Sequence, residues 1–432
     1  MLSVIRIGFV SCVLLSVVKF PFLPSKIRAK YIVDLLKLGG PAFVKLGQSL
    51  AVRVDIVGED VAESLRHLQD QMPSFSYSKV QQEIQKSFGK SVEDIFDTFN
   101  SMPVAAASIA QVHFAKTKTG EEVAVKILRP NIVKKFKRDV KAFHFYANIL
   151  ERLIPSIRRL RPVQVVSEMQ QWVNEELDLE NEAKNAVRLA NNFKDSDILA
   201  VPKVHQSLTT KSVLTSERVY GIRIDDKQGI IEAGLNPKDI LERSATVFFL
   251  QVFRDGFFHA DMHPGNMFIR SDGVLCPVDF GIMGYLTKDT RIYVADIMYY
   301  LVSQEYEKAA QVHFNAGYVP STYSLSAFTK ALASIGGTMR DKGDWQNTSM
   351  GTLLSDLFDT TKKFSMKTRP ELLLLQKTMV VAEGVGRTIA PEQNMWLLIR
   401  PTMEMWMRVN RGVGARIEQR LNEVITNHKN TA

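Results

Sequence analysis

Cysteine is nearly missing from this chain. Cys12 and Cys276 are its two cysteines, far apart and without the paired spacing of metal ligands. That excludes a disulfide framework and a thiolate metal site, and it fits a reducing compartment. There is no dinucleotide-binding glycine fingerprint, no evident iron site, no tandem repeat and no low-complexity tract. No RNA- or DNA-binding motif appears, and the basic residues are spread over helical stretches, which argues against nucleic acid as a partner. Charge alone leaves that question open: a net charge of +9 and a pI near 9.3 suit an anionic membrane surface, nucleotide phosphates or nucleic acid equally. What the chain does have is size. Its 432 residues, 45% hydrophobic, can bury a substantial core, more naturally in two lobes than in one.

The stretch around which the chain is organised is His259-Ala260-Asp261-Met262-His263-Pro264-Gly265-Asn266, followed by Val278-Asp279-Phe280-Gly281. Between them, Met267–Ile269 and Val274–Leu275 read as the strands of a hairpin turning at Ser271-Asp272-Gly273. Such a hairpin carries both motifs at one end. There Asp261 can accept or steer a hydroxyl proton, while Asn266 and Asp279 offer hard oxygen ligands to Mg²⁺. Asp, Asn, Gly and Pro are also ordinary turn residues, but two such motifs at this spacing point to a kinase catalytic centre.

In chain order, residues 1–24 form an apolar segment broken by Arg6 and closed by Lys19. Its uncharged run of about a dozen residues falls short of the ~20 that a spanning helix needs. Phe20-Pro21-Phe22-Leu23-Pro24 is a poor signal-peptide cleavage site, so an interfacial or partly inserted membrane anchor is expected. Residues 25–100 read as helical, with two amphipathic helices around Gly89 over Ser78–Phe99. Within them Lys45 and Gln48 share a helix face, on spacing alone a solvated stripe. Next comes a small-residue loop, Ala105-Ala106-Ala107-Ser108, leading into a hairpin that turns at Lys118-Thr119-Gly120. Its second strand, Glu122–Leu128, carries Val123-Ala124-Val125-Lys126. A loop followed by such a strand fits a kinase N-lobe, in which the lysine meets nucleotide phosphates, although the loop holds alanine where glycine is expected.

Asn131–Lys194 reads as helical, including an unbroken Val163–Phe193. Its acidic run Glu175–Glu182 is on its own a solvated face, yet Lys126 needs a carboxylate partner, and a helix packed on the small sheet is where one would sit. Val201–Val204 and Val213–Val219 read as strands, and in a kinase the backbone from Glu217 to Val219 would hold adenine. Pro237–Asp255 is a helix entered at Asn236, and the chain beyond Gly284 is almost wholly helical. A stripe of Trp396, Met403, Met405, Trp406 and Met407 near the end is expected in the core.

Taken in order, Lys45-Leu46-Gly47-Gln48, Ala105–Ser108, Val123–Lys126, Glu176-Leu177-Asp178, His259–Asn266 and Asp279-Phe280-Gly281 resemble the motifs of the UbiB (AarF, ABC-one-like) family of atypical protein-kinase-like proteins. The resemblance spans roughly residues 40 to 390. It implies an α+β, helix-rich, two-lobed protein-kinase-like fold with an N-terminal helical extension over the active site. The expected divisions are 1–24, 25–100, 101–220 for the N-lobe and 221–432 for the C-lobe. It further implies that Lys126 pairs with Glu182, that Lys45 reaches Glu176 and excludes bulky protein substrates, and that ATP and Mg²⁺ are the cofactors. Implied partners are lipid or isoprenoid-quinone intermediates, a membrane surface and a quinone-synthesising protein complex. The implied location is a membrane, with the active site in the cytoplasm or an organelle matrix. Some members end in paired transmembrane helices, whereas Gly412–Ala432 is polar, so an anchor is expected in residues 1–24. Two other readings stand beside this one: a small-molecule phosphotransferase of the aminoglycoside- or choline-kinase type, and a nucleotide-gated lipid-binding scaffold.

Overall fold

The computed structural model describes residues 25–51, 61, 64–65, 73–153, 158, 161–341, 360, 363–366, 369–393 and 395–411. The expected anchor in residues 1–24 lies outside them. The chain divides into two compact units, one comprising 1–191, 201–219 and 279–282, the other 192–200, 220–278 and 283–432.

The first unit begins with helices α1 (Ser25–Gly39) and α2 (Pro41–Ala51). Gly40, at φ +87°, turns the chain between them, and its carbonyl receives the N–H groups of Phe43 and Val44. Helix α2 is buried on nearly every side, Lys45 included, so it is a core element rather than a solvated one. It packs on α5 (Ile132–Leu153) and α6 (Pro162–Glu176), with Phe43 edge-on to Phe143 at 4.8 Å. Between α2 and α5 come α3 (Tyr77–Phe88), α4 (Val92–Ile95) and strands β1 (Phe96–Phe99), β2 (Ala105–Ala106), β3 (Ala110–Thr117) and β4 (Glu122–Leu128). The expectation of two helices over Ser78–Phe99 needs correcting. Gly89 does end α3, but α4 is one turn, held by a Ser91–Asp94 capping box, and Phe96–Phe99 joins the sheet.

That sheet is antiparallel in the order β1-β3-β4-β5, with β5 spanning Val213–Glu217 and β2 pairing β3. Alternation along β4 sends Val123, Val125 and Ile127 into a core with Val80, Ile84, Phe96 and Val213. Lys126 therefore belongs to the opposite face. Val201–Val204 is not a strand: a single bridge joins Val204 to Ser216, and Pro202 has no N–H with which to extend it. Strand β5 stops short of Arg218 and Val219. The expected helix Val163–Phe193 is two, α6 and α7 (Leu179–Asn192). The break falls where Leu179 N–H donates to the distant Lys211 carbonyl instead of to a carbonyl of α6.

The second unit contains β6 (Ile222–Arg223), α8 (Lys227–Glu232), α9 (Pro237–Phe249), β7 (Phe257–His259), β8 (Met267–Ile269), β9 (Leu275–Pro277) and β10 (Met283–Tyr285). The sequence-predicted hairpin is present as β8–β9, in the register Phe268↔Cys276, with β6 on its edge. The expected helix Pro237–Asp255 ends instead in a π-helical turn, Leu250–Asp255. Gly256, at φ +61°, then stops it where a Cβ would lie 2.5 Å from the Leu286 carbonyl. Helices α10 (Lys288–Val302), α11 (Tyr306–Asn315), α12 (Leu325–Asp341), α13 (Pro370–Ile389) and α14 (Met395–Arg411) complete the unit. The ring of part-buried Trp406 lies 5.6 Å from that of Phe253 at a tilt of 60°, whereas Met405 of the same stripe is exposed. Among the described residues no helix is long and apolar enough to cross a membrane.

Candidate active site

In the first unit a lysine is clamped by two carboxylates. Strand β4 presents Lys126, whose Nζ donates to Glu182 Oε1 and Oε2 at 2.7 and 2.9 Å and to Asp279 Oδ2 at 2.9 Å. All three ammonium protons are thus placed. Glu182 comes from the first turn of α7 and is buried, while 38% of the Asp279 side chain is exposed. Glu182 Oε1 also receives the Phe280 N–H, Asp279 Oδ1 receives that of Gly281, and Asn185, one turn along from Glu182, donates to the Phe280 carbonyl. The Asp-Phe-Gly segment is therefore tied to α7 at both backbone and side chain.

A second pair stands beside the first. Lys45 of α2 lies 2.7 Å from Glu176 at the end of α6, both largely buried. Gly281 marks how close the pairs are: a Cβ there would sit 3.2 Å from Asp279, 3.9 Å from Glu182 and 4.0 Å from Glu176. Two lysines and three acidic side chains thus lie within one small region of the first unit.

Burial works against the charged form of Lys126, yet Asp279 and Glu182 outweigh it and hold its pKa well above the ordinary lysine value. Glu182 shares that one ammonium with Asp279. Burial pushes its carboxyl up, Lys126 resists and the Asp279 charge adds to the rise, leaving it at about 7 against an ordinary 4.5. The folded chain therefore binds an extra proton between those values. This contribution to stability is complete below 4.5 and is lost as pH rises through about 7. Unfolding midpoints of the nucleotide-free protein should accordingly decline with pH across that window more steeply than those of Glu182→Gln, whose amide does not titrate. Parallel curves would contradict the shift.

The alanine-rich stretch expected as a loop is half strand: Ala105 and Ala106 form β2 and pair with Val112 and Gln111 of β3, and the turn through Ala107 and Ser108 is pinned. Arg129 donates twice to the Ala107 carbonyl, at 3.1 and 2.7 Å. Ala107 N–H donates to Ala110, and Ile109 enters the apolar core that includes Phe43 and Phe136. Ser108 Oγ is buried with no hydrogen-bond partner among the described residues. Behind the loop, Gln111 bridges the backbone of Phe75 and donates to His113 Nε2, whose Nδ1 donates to the Asn100 carbonyl. Glu217, predicted to meet adenine, pairs its backbone N–H with the Lys203 carbonyl, and Val219 lies just past the strand, half-buried.

In the second unit, the loop after β7 carries Asp261 and Asn266. Gln251, on the π-helical turn, accepts the His259 N–H at 2.7 Å, and His259 Nδ1 accepts that of Asp261 at 3.2 Å. A 3₁₀ turn, Pro264–Asn266, follows, and the Asn266 carbonyl receives Val278 N–H. Asp261 Oδ1 accepts from Lys377 of α13 at 3.2 Å.

Arg129, Asn185, Gln251 and Lys377 went unremarked in the sequence. Two left a trace: Asn185 is three residues after Glu182 and so shares its face, and Lys377 is the charged member of the polar triplet Gln376-Lys377-Thr378 that splits the apolar residues Leu372–Leu375 and Met379–Val381. Among the described residues no three His, Cys, Asp or Glu side chains converge as a protein-only metal cage. Mg²⁺ does not require one, since it takes one or two carboxylates together with substrate phosphates. The part-exposed Asp279 carboxylate, a hard oxygen donor, fits that mode.

Residues 67–313 match the ABC1 atypical kinase-like domain, and residues 332–394 match the UbiB helical domain. The chain is 38% identical over 389 residues to the probable protein kinase UbiB of Marinobacter nauticus, covering 89% of this chain and 71% of the relative. It is 39% identical over 373 residues to the probable protein kinase UbiB of Azotobacter vinelandii, covering 85% and 69%. Among solved structures, Rv3197 from Mycobacterium tuberculosis, in complex with erythromycin, is 25% identical with a TM-score of 0.56, covering 86% of this chain and 94% of that one.

Proposed function

Because the chain belongs to the UbiB family of atypical kinase-like proteins, we propose that it transfers or hydrolyses the terminal phosphoryl group of ATP in support of isoprenoid-quinone (ubiquinone) synthesis. The observation that carries this reading is Lys126, held between a buried Glu182 and an exposed Asp279. In this reading Lys126 contacts the phosphates and Glu182 fixes it. The stretch from Ala105 to Ser108, β2 and the turn after it, covers them, and the backbone from Glu217 to Val219 receives adenine. Asp279 and Asn266 would hold Mg²⁺, which supplies charge neutralisation at the phosphate oxygens. Asp261 takes the proton of the attacking hydroxyl or water as its oxygen bonds to the γ-phosphorus. The bond from that phosphorus to the bridging oxygen breaks, and ADP leaves. Lys45 and Glu176 lock the extension in place, which favours a small lipid-like partner at a membrane surface, alone or in a quinone-synthesising complex, over a protein acceptor.

The test is the isoprenoid-quinone content of a deletion strain complemented with wild type or with Asp261→Asn. Quinone should fall on deletion and be restored by wild type alone. Full restoration by the variant would replace catalysis with a scaffold role. No fall on deletion would remove the pathway and turn attention to a small-molecule phosphotransferase.

A further inference from the structure

We propose that Lys377 is the cation of the phosphoryl-transfer loop, supplied by the helical domain rather than by the loop itself; the proposal rests on the role given to Asp261 above. The loop has no fixed positive charge of its own. From His259 to Asn266 its basic side chains are His259 and His263. In each, Nδ1 accepts a backbone N–H, from Asp261 at 3.2 Å and from Gly265 at 3.1 Å. Neither is a permanently charged side chain of the kind a lysine or arginine supplies, and no Lys or Arg stands between His259 and Asn266. Phosphoryl transfer nevertheless spreads negative charge over the oxygens of the migrating group, and positioned cations provide much of the catalysis.

Lys377 brings an ammonium to this loop, 3.2 Å from Asp261 Oδ1. Its place on α13 is not that of an ordinary surface lysine. The residues three and four positions away on the same face are Leu373, Leu374, Val380 and Val381, all half-buried, so this charge interrupts an apolar stripe. A half-exposed ion pair is worth about 0–1 kcal/mol to stability, a small return for a charge there. Chemistry gives a larger one. Before the acceptor arrives, the ammonium aims the Asp261 carboxylate. Once Asp261 engages the acceptor proton, Lys377 is within side-chain reach of the phosphoryl group moving to that acceptor. Lys377 lies in the segment 332–394 that matches the UbiB helical domain, so the proposal gives that domain a chemical part in the reaction.

The experiment compares purified full-length wild type, Lys377→Met, Lys377→Gln and Lys377→Arg. It measures steady-state ATP turnover, equilibrium binding of ATP and of ADP, and the unfolding midpoint. Loss of the cation should lower kcat by about a hundredfold, the scale of removing one preorganised transition-state contact. ADP affinity and the unfolding midpoint should stay near wild type, while the preference for ATP over ADP falls because the γ-phosphate has lost a partner. Lys377→Arg should recover most of the turnover. Lys377→Gln keeps a polar head and covers the case in which methionine disturbs folding. Wild-type or faster turnover in both neutral variants would overturn the proposal, the latter by making Lys377 a plug on Asp261. So would equal losses of ATP and ADP affinity, or a loss of turnover that tracks unfolding. Asp279→Asn and Asp261→Asn serve as controls: if both turned over ATP at the wild-type rate, the phosphoryl-transfer reading of this site would itself fail, whatever the Lys377 variants did.

Discussion

Asp279→Asn should reduce ATP turnover about a thousandfold, a few kcal/mol of barrier, as expected for the loss of a charged group that positions and neutralises the reacting phosphates. The substitution is chosen to spare the fold. An asparagine Oδ1 can still accept the Gly281 N–H, now 2.9 Å from Asp279 Oδ1, and the amide group fills nearly the volume of the carboxylate, with an NH2 in place of the oxygen that faces Lys126. What disappears is one of the two negative charges on Lys126 and a hard anionic ligand. A further change follows without any nucleotide. The Asp279 charge is one of the causes raising Glu182, so its removal lets the Glu182 carboxyl ionise at lower pH, and the stability slope attributed to that group moves down with it. Unfolding midpoints together with turnover separate a chemical loss from a folding one. A variant that hydrolyses ATP at the wild-type rate would falsify the metal-site assignment.

Lys45→Ala should destabilise the first unit by roughly 3–5 kcal/mol, the cost of removing one partner from a buried ion pair. Lys45 and Glu176 are 8% and 10% exposed and 2.7 Å apart, and α2 around them is core on almost every side. The double variant Lys45→Met, Glu176→Leu replaces both charges with apolar groups of similar size and should recover most of the loss, since well-packed hydrophobic replacements of buried pairs are often neutral. Chemical denaturation of the two single variants and the double one gives the coupling directly. If Lys45→Ala cost less than about 1 kcal/mol, the range of exposed pairs, the pair would not be the lock that holds the extension helix.

Much of the site was legible one element at a time. The β8–β9 hairpin followed from apolar pieces around Ser271-Asp272-Gly273, and the face on which Lys126 stands followed from the alternation of Val123, Val125 and Ile127. The acidic run was harder. Glu175–Glu182 looks like a solvated face because nothing in it breaks a helix; no Pro or Gly stands near Leu177. The break comes from Lys211, whose carbonyl takes the Leu179 N–H, and it puts Glu176 at the end of one helix and Glu182 at the start of the next. Lys45 misled in the opposite direction: polar among apolar neighbours, it suggested a solvated stripe, yet its helix is buried all round.

By itself the sequence determined which chemistry the chain could carry: a lysine on a strand, Asp, Asn and Asp around a hairpin, and their order along a kinase-like chain. These are local facts, set by residue type, alternation and turn chemistry over a few positions. The tertiary structure alone decided which charges meet. Lys126 finds Glu182 across 56 residues and Asp279 across 153, and Lys377 finds Asp261 across 116. No periodicity extends over such separations. The packing of apolar faces brings these groups together; for Lys126 and Glu182 it also buries them, and burial makes an unpaired charge too costly to leave.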